Sequence, residues 1–411
     1  MRGHVRQHGK GWAVIIDRGR NVQCQQCVAC RRRHWLEGKP HKECPRCGGE
    51  LVMAEGRRQQ WHRGYRTKRE AEQACRELLG GLERGTYTPP TRLTLGEFLV
   101  KDWLPAKRAT VKPSTFSSYE LHVHAYVLPA TVAAVPLPLL DGSRLNAFYG
   151  ELLTDGRRHG NGGLADKTVR NIHGMIHKAL GDAVRWRRVA HNVADDADPP
   201  RGHSPEMQVW SAEQLRRFLV QVRSDRLYAA WLLSATTGVR RGELLGLRWS
   251  DLDLDRGQVN IRQARTVVDY QVQTSTPKTK KGRRIIAIDP VTVASLRSHR
   301  TQQGRERLAI GPAWHDSELV FTREDGSPIH PQRFSSWFHQ HVKRAGLPRI
   351  RLHDVRHSYA TAALEAGVRV KVVSERLGHA NVTVTLGTYA HVLEGDDQEA
   401  AMTVATAILG E

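Results

Sequence analysis

The sequence predicts a mainly α-helical protein with small β-sheets, divided into three parts. Apolar residues recur at helical spacing through much of residues 91–198 and again through much of the C-terminal half. Short runs typical of strands occur before residue 90 and between residues 258 and 289. A proline-rich stretch, residues 199–209, lies between the two helical parts and is typical of a linker. Three domains joined in this order are therefore expected.

Residues 1–90 are predicted to form a small β-plus-helix module. The runs 11–17 and 61–65 are typical of strands, and residues 67–79 have the spacing of an amphipathic helix. Thr67 and Glu70 have the spacing of a capping box at the start of that helix. An insertion, about residues 22–50, separates the two strands.

The insertion carries paired cysteines with the spacing of a zinc ribbon. Two Cys-x-x-Cys knuckles in a chain without a secretory signal indicate one structural zinc ion, because disulfides are rare in reducing compartments. The symmetric ligand set is Cys24, Cys27, Cys44 and Cys47. Three nearby residues are alternative ligands: Cys30, His34 and His41. Cys75, on the predicted helix, is expected in the core.

Residues 91–198 are predicted to form a helical bundle. Pro105 is expected to end its first helix. The longest helix, residues 167–186, carries Val169, Ile172, Ile176 and Leu180 on one face. The residues in this part do not suggest catalysis.

Residues 210–395 are predicted to form a mostly helical domain with a small antiparallel sheet, followed by a tail helix over residues 396–411. Ser211 and Gln214 form a capping box at the start of the first helix of that domain. The basic run 276–284 precedes an alternating segment, which predicts a β-hairpin with a basic tip.

Five short motifs follow one another in this half of the chain. His353 and Arg356 lie three residues apart and therefore share one face of a helix. Gly378 has the position of a glycine that ends a helix, which leaves His379 in the turn that follows. Each motif alone is ordinary, but two histidines, one arginine and one tyrosine are expected to converge across two or three short helices. The motifs are Thr237-Gly238-Val239-Arg240, Pro277-Lys278-Thr279, His353-Asp354-Val355-Arg356, Leu377-Gly378-His379 and Tyr389.

In this order the motifs resemble those of the tyrosine recombinase (phage integrase) family, over roughly the last half of the chain. The resemblance implies that Tyr389 attacks the scissile phosphate, with His353 in the acid–base role that a hydroxyl of pKa about 10 requires. It implies that Arg240 and Arg356 bind the phosphate oxygens. It further implies supporting roles for Lys278 as the acid for the leaving 5′ oxygen, His379 as a phosphate ligand and Glu243 as the partner of the first arginine.

The resemblance also assigns the three parts and their partners. It implies an N-terminal domain that binds arm-type DNA sites, a helical core-binding (SAM-like) domain at 91–198 and a catalytic domain at 210–395. Double-stranded DNA at crossover and arm-type sites is the expected partner, with a homotetramer on DNA and an excisionase-type directionality factor. The resemblance also implies that the tail helix packs on a neighbouring protomer, and packing on its own chain is the alternative. The chemistry implied needs neither ATP nor a catalytic metal.

Charge and composition fit such partners. The formal net charge of +21 favours an anionic polymer, and binding to one should weaken with salt. The longest nearly apolar run, residues 125–140, contains three prolines and is too short for a membrane span. A cytoplasmic, nucleoid-associated protein is therefore expected. Three alternatives remain: a type IB topoisomerase, a non-catalytic zinc-containing DNA-binding regulator, and a metal-dependent nuclease.

Overall fold

The computed structural model describes residues 2–9, 11–17, 22–35, 41–56, 59–83, 92–201, 208–275, 282–379, 381–389 and 397–410. The chain divides into two compact units, of which the first is Met1–Thr110 with Tyr119–Gly202 and the second is Val111–Ser118 with His203–Glu411. The predicted fold class, mainly helical with small antiparallel sheets, is confirmed. None of the helices in the described part of the chain has the length and apolarity that crossing a lipid bilayer requires.

The first unit begins with a three-stranded antiparallel sheet and one helix. Strands β1 (Arg2–His8), β2 (Gly11–Asp17) and β6 (Gln59–Tyr65) lie in the order β1-β2-β6. Helix α1 (Lys68–Glu83) packs on one face of this sheet. The small core between them contains Val14, Ile16, Ala71 and Cys75, so Cys75 is a core residue as predicted.

The insertion forms a second small sheet. Strands β3 (Val22–Cys27), β4 (Arg33–Trp35) and β5 (Leu51–Gly56) are antiparallel in the order β4-β3-β5. Cys24 and Cys27 lie on β3, and Cys30, Cys44 and Cys47 lie between β3 and β5.

The helical part of the first unit differs from the prediction at Pro105, which does not end the first helix. Helix α2 (Leu95–Glu97) continues through a π-helical segment (Phe98–Trp103) into α3 (Leu104–Arg108). The N–H of Leu104 bonds to the carbonyl of Leu99, five residues earlier. A widened turn just before a residue that lacks an N–H accommodates the proline without breaking the helix.

Two longer helices complete this region, α5 (Gly142–Asp155) and α6 (Asp166–Arg185). Helix α4 (Pro113–His122) has residues in both units, which divide between Ser118 and Tyr119. The face of α6 that the sequence predicts to be apolar is buried, and Trp103 packs with it in the core. The indole of Trp103 donates to the Asp182 carboxylate at 2.8 Å, and Lys107 pairs with the same carboxylate at 2.5 Å.

The second unit is a helical domain with two small sheets. Its core centres on stacked aromatic rings, Trp231 on Phe334 at 4.2 Å, with Trp210, Phe218 and Phe338 around them. Its helices are α7 (Ala212–Gln221), α8 (Tyr228–Thr237), α9 (Arg241–Leu244), α10 (Pro290–Ile310), α11 (Pro331–Arg344), α12 (Leu352–Glu365), α13 (Val370–Leu377), α14 (Val382–Tyr389) and α15 (Asp397–Leu409). Ser211 and Gln214 form the predicted capping box before α7.

The strands of this unit correct the predicted hairpin. Strands β7 (Leu252–Asp253), β8 (Gln258–Ile261) and β11 (Arg284–Ala287) form one sheet, whereas β9 (Ala264–Val268) and β10 (Gln271–Ser275) form a separate hairpin. The hairpin turns at Asp269 and Tyr270, which both have positive φ. The basic run therefore joins two sheets, and residues 276–281, including Lys278, lie outside the described residues.

Candidate active site and cysteine cluster

Arg356, on α12, is the buried centre of the site. Only 3% of this residue is exposed. Its Nη1 donates to the carbonyl of Gly238 at 2.8 Å, and its Nη2 donates to the carbonyl of Leu377 at 2.6 Å. Burial, and then the positive charge of Arg240, lowers the pKa of Arg356 to about 9, which leaves it charged at neutral pH.

Arg240 contacts the buried ion pair formed by Glu243 and Arg284. It caps α9, and its Nη1 donates to Glu243 at 2.8 Å. On its other side Glu243 receives both Nη atoms of Arg284, at 2.9 and 3.2 Å. Burial would raise the pKa of Glu243, but Arg284 and Arg240 more than offset it, so the pKa is lowered and the carboxylate is ionised.

Arg284 is a residue that the sequence reasoning missed. Its side chain is 7% exposed, and its Nε donates to the carbonyl of Arg376 at 2.6 Å. It thus joins the turn carrying Arg240 to the end of α13. Its neighbour Arg283 is exposed, so the sequence alone gives no sign of which arginine in the basic run is buried.

His379 follows the end of α13, as predicted. Gly378 adopts a left-handed conformation with φ 68°, which confirms that this glycine ends the helix. The Nδ1 of His379 is hydrogen-bonded to the Thr385 hydroxyl at 2.8 Å. Burial, and then the charges of Arg356 and Arg240, lowers the pKa of His379 to about 4, so the imidazole is neutral at neutral pH.

Tyr389 ends α14 and is 1% exposed. Its hydroxyl is hydrogen-bonded to the Nδ1 of His357 at 2.7 Å, a residue that was not among the predicted site residues. His353 lies one helical turn before His357, with ring centroids 5.2 Å apart. Burial, opposed weakly by Arg356, raises the pKa of Tyr389 to about 12.

Among the described residues, Arg240 and Arg356 both act on the two histidines His353 and His379. Burial comes first in lowering the pKa of His353 and His379, but Arg240 and Arg356 also lower both. His353 nevertheless remains an exposed residue, so the site opens to solvent on its side. Side chains that repel one another around an opening form a site prepared for an anion.

Comparison with known proteins agrees with this geometry. The family model of the phage integrase family matches residues 208–395. A tyrosine recombinase XerC-like protein of Caldanaerobacter subterraneus subsp. tengcongensis is 29% identical over 358 residues, which cover 82% of this chain and 90% of that protein. Residues 208–395 belong to the phage integrase family, and the protein is a tyrosine recombinase. It is an enzyme that breaks and rejoins DNA strands in the site-specific recombination of a mobile element.

Two further proteins are similar to this tyrosine recombinase. The ICEBs1 integrase of Bacillus subtilis is 29% identical over 254 residues, covering 61% of this chain and 68% of that protein. A structure of the Tn1549 transposon integrase in complex with a circular intermediate DNA has a TM-score of 0.63 at 20% identity, covering 76% of this chain and 99% of that one. This structural likeness shows that the fold is shared. The topoisomerase and regulator alternatives are not favoured.

The cysteine cluster of the recombinase differs from the symmetric set that the sequence suggested. The sulfurs of Cys27, Cys30, Cys44 and Cys47 lie within 4.8 Å of one another, and Cys24 is not in this group. Cys24 and Cys27 both belong to β3 at positions three apart, so their side chains point to opposite faces of the sheet. Of the two alternative histidines, His34 places its Nε2 3.4 Å from the Cys44 sulfur.

The four sulfurs fit one tetrahedral zinc ion. Zinc–sulfur bonds of about 2.3 Å place tetrahedral sulfurs about 3.8 Å apart. The Cys27–Cys47 and Cys30–Cys44 distances are 3.5 and 3.7 Å. The Arg46 amide first lowers the pKa of Cys44 to about 5, whereas the other sulfurs, against the Gly49 amide, raise the pKa of Cys47 to about 12. A zinc ion among the sulfurs would stabilise all four as thiolates.

Proposed function

We propose that this recombinase cuts duplex DNA by attack of the Tyr389 hydroxyl oxygen on a scissile phosphate. The new bond links phosphorus to the tyrosine oxygen and gives a 3′-phosphotyrosyl intermediate. The bond from phosphorus to the 5′ oxygen breaks, and that oxygen leaves with a proton as a free 5′ hydroxyl. A 5′ hydroxyl from a partner strand reverses the step, so strands are exchanged without loss of bond energy.

The converging cations are the observation that carries this proposal. Arg240 and Arg356 bind the non-bridging phosphate oxygens and stabilise the charge that builds up in the transition state. His379 adds a hydrogen bond to the phosphate, and Glu243 with Arg284 fixes the orientation of Arg240. His353 serves the acid–base steps at the phosphate, and Lys278 protonates the leaving 5′ oxygen.

The N-terminal sheet supports a second DNA contact. His4, Arg6 and His8 alternate along β1 and are all exposed. Trp61 on β6 is 37% exposed, with the His8 ring 5.8 Å away and the Arg63 guanidinium 5.4 Å from its ring. We propose that this basic and aromatic sheet face binds arm-type DNA, since a β-sheet can enter the major groove.

The cysteine cluster and the tail helix indicate a bound metal ion and contacts between protomers. One structural zinc ion, held by the four clustered cysteines, would fix the two turns of the insertion. The tail helix α15 leaves Met402, Val404, Ile408 and Leu409 more than half exposed, which supports packing on a neighbouring protomer over packing on its own chain. We propose a homotetramer on DNA, with an excisionase-type factor setting the direction of the reaction.

The test uses a duplex carrying the end sequence of the element that encodes the chain, nicked near the crossover so that cleavage is trapped. Wild type is expected to form a protein–DNA adduct that survives denaturation, and peptide mass spectrometry should find the nucleotide on Tyr389. Tyr389→Phe should bind the same DNA and form no adduct. Tyr270→Phe is the matched control, because Tyr270 is 90% exposed at the hairpin turn. An adduct that persists in Tyr389→Phe overturns the assignment.

A further inference from the structure

The hydroxyl of Tyr389 contacts a different histidine from the one that the motif singles out. His357 Nδ1 lies 2.7 Å from the hydroxyl oxygen, which is hydrogen-bond distance. His353 contacts the His357 ring edge-to-face instead, with an interplanar angle of 89°. The two histidines are four residues apart on α12 and therefore share a face, but in the structure His357 is the one hydrogen-bonded to the phenol.

The surroundings keep His357 ready to accept a proton. The residue is half-buried, and burial first, then Arg356 and Arg351, lowers its pKa below the ordinary 6.5, with Asp354 acting in the opposite direction. The neutral imidazole has one ring nitrogen free to accept. The titratable and charged groups around His357 are His353, Asp354 and Arg356 on α12, Arg351 at the N-cap of that helix, and Tyr389 on α14.

The need for a base at this position is unusually strong. Tyr389 is packed among Ala360, Leu364, Val373 and Leu377. In that apolar setting a bare phenolate is disfavoured, and the pKa of Tyr389 is raised to about 12. The proton must therefore leave as the oxygen attacks, to a group already in contact.

We propose that His357 is the catalytic base that accepts the Tyr389 proton during strand cleavage. The inference rests on the proposed role of Tyr389 as nucleophile. As the tyrosine oxygen forms its bond to phosphorus, its O–H bond breaks and the proton moves to Nδ1 of His357. When the 5′ hydroxyl of a partner strand displaces the tyrosine, His357 returns the proton to the phenolate. For the tyrosine proton, His357 thus takes the acid–base role first given to His353, and His353 acts as a positioning residue for the His357 ring.

The experiment measures the rate of single-turnover cleavage against pH on the nicked duplex described above. His357→Asn retains a side-chain acceptor near the position of Nδ1 but does not take up a proton. We expect cleavage by this variant to be slower by a factor of about 10²–10⁴, the usual contribution of a general base. Its rate should keep rising with pH, whereas the wild-type rate should level off above the pKa of His357.

A second measurement separates proton transfer from positioning or misfolding. Replacing Tyr389 by 3-fluorotyrosine makes the phenol more acidic, which should restore part of the lost rate in His357→Asn and change the wild-type rate little. DNA binding and the thermal midpoint of each variant are measured in parallel.

The outcomes are distinct. If His357→Asn keeps the wild-type rate and pH profile while His357→Ala loses activity, His357 only positions the tyrosine and the proposal is wrong. If fluorotyrosine gives no rescue in a His357→Asn variant that is folded and binds DNA, proton transfer to His357 is also excluded. A wild-type adduct on a residue other than Tyr389 overturns the nucleophile assignment itself, and this inference with it.

Discussion

Arg284 is the buried cation on which the position of Arg240 depends, and its replacement should lower both stability and activity. The change is Arg284→Met, which keeps the apolar length of the side chain and removes the guanidinium. The control is Arg283→Met, because Arg283 is its exposed neighbour in the chain. The readouts are the thermal midpoint of unfolding and the single-turnover cleavage rate.

The magnitude follows from the contacts. The side chains of Arg284 and Glu243 are 7% and 4% exposed, and two hydrogen bonds join them. Breaking a buried ion pair by removing one partner costs about 3–5 kcal/mol. Because Arg240 still contacts Glu243 at 2.8 Å, we expect the lower end, about 3 kcal/mol. For a unit of this size that is a fall of roughly 6–12 °C in the midpoint.

The pH dependence provides an internal check. The folded pKa of Glu243 lies below its ordinary 4.5. Its stabilising contribution is therefore fully present above about pH 4.5 and is lost as the pH falls through the folded pKa. The difference between the two variants should be large at neutral pH and shrink in acid. Equal midpoints for Arg284→Met and Arg283→Met at neutral pH would refute the reasoning.

Three further predictions concern other parts of the chain. Gly238→Ala should lose about 1–3 kcal/mol of stability, because the residue has φ 62° and an added Cβ would lie 2.6 Å from an aromatic carbon. Gly304→Ala is the control, because Gly304 faces open space on α10, and thermal melts of the two variants should differ. Cys30→Ser should release zinc from the purified chain, whereas Cys24→Ser should retain it, and a chromogenic chelator measures the zinc released. The opposite result would favour the symmetric ligand set. DNA affinity should fall linearly with salt on logarithmic axes, and Arg63→Gln should reduce that slope by about one if the sheet face binds phosphate.

The ordered motifs could be predicted from sequence because their geometry is local. Gly238 and Gly378 both end helices in left-handed conformations, which few residues other than glycine adopt. His353 and Arg356 share a helix face by spacing alone. The same helical spacing also links His353 to His357, so the second histidine was within reach of sequence reasoning.

Other features depend on contacts between distant segments. Arg284 lies in a run of basic residues that resembles a solvated loop, and Glu243, its partner, is 41 residues away. The cysteine cluster differs from the predicted ligand set because two cysteines three apart within a strand lie on opposite faces of the sheet, whereas Cys27 and Cys30 flank a turn. The end of β3 decides between these cases, and strand ends are poorly defined by sequence pattern.

Arg356 has a second consequence through its two carbonyl contacts. Its guanidinium bonds to both the carbonyl of Gly238 and the carbonyl of Leu377, at the ends of two helices. One side chain is therefore a phosphate ligand in the proposed reaction and also a structural link within the domain. Loss of the Arg356 guanidinium should therefore lower the stability of the domain as well as remove a proposed phosphate ligand. A protein that stays folded and occupies DNA without cutting it is instead expected from Tyr389→Phe, which keeps the buried ring in place.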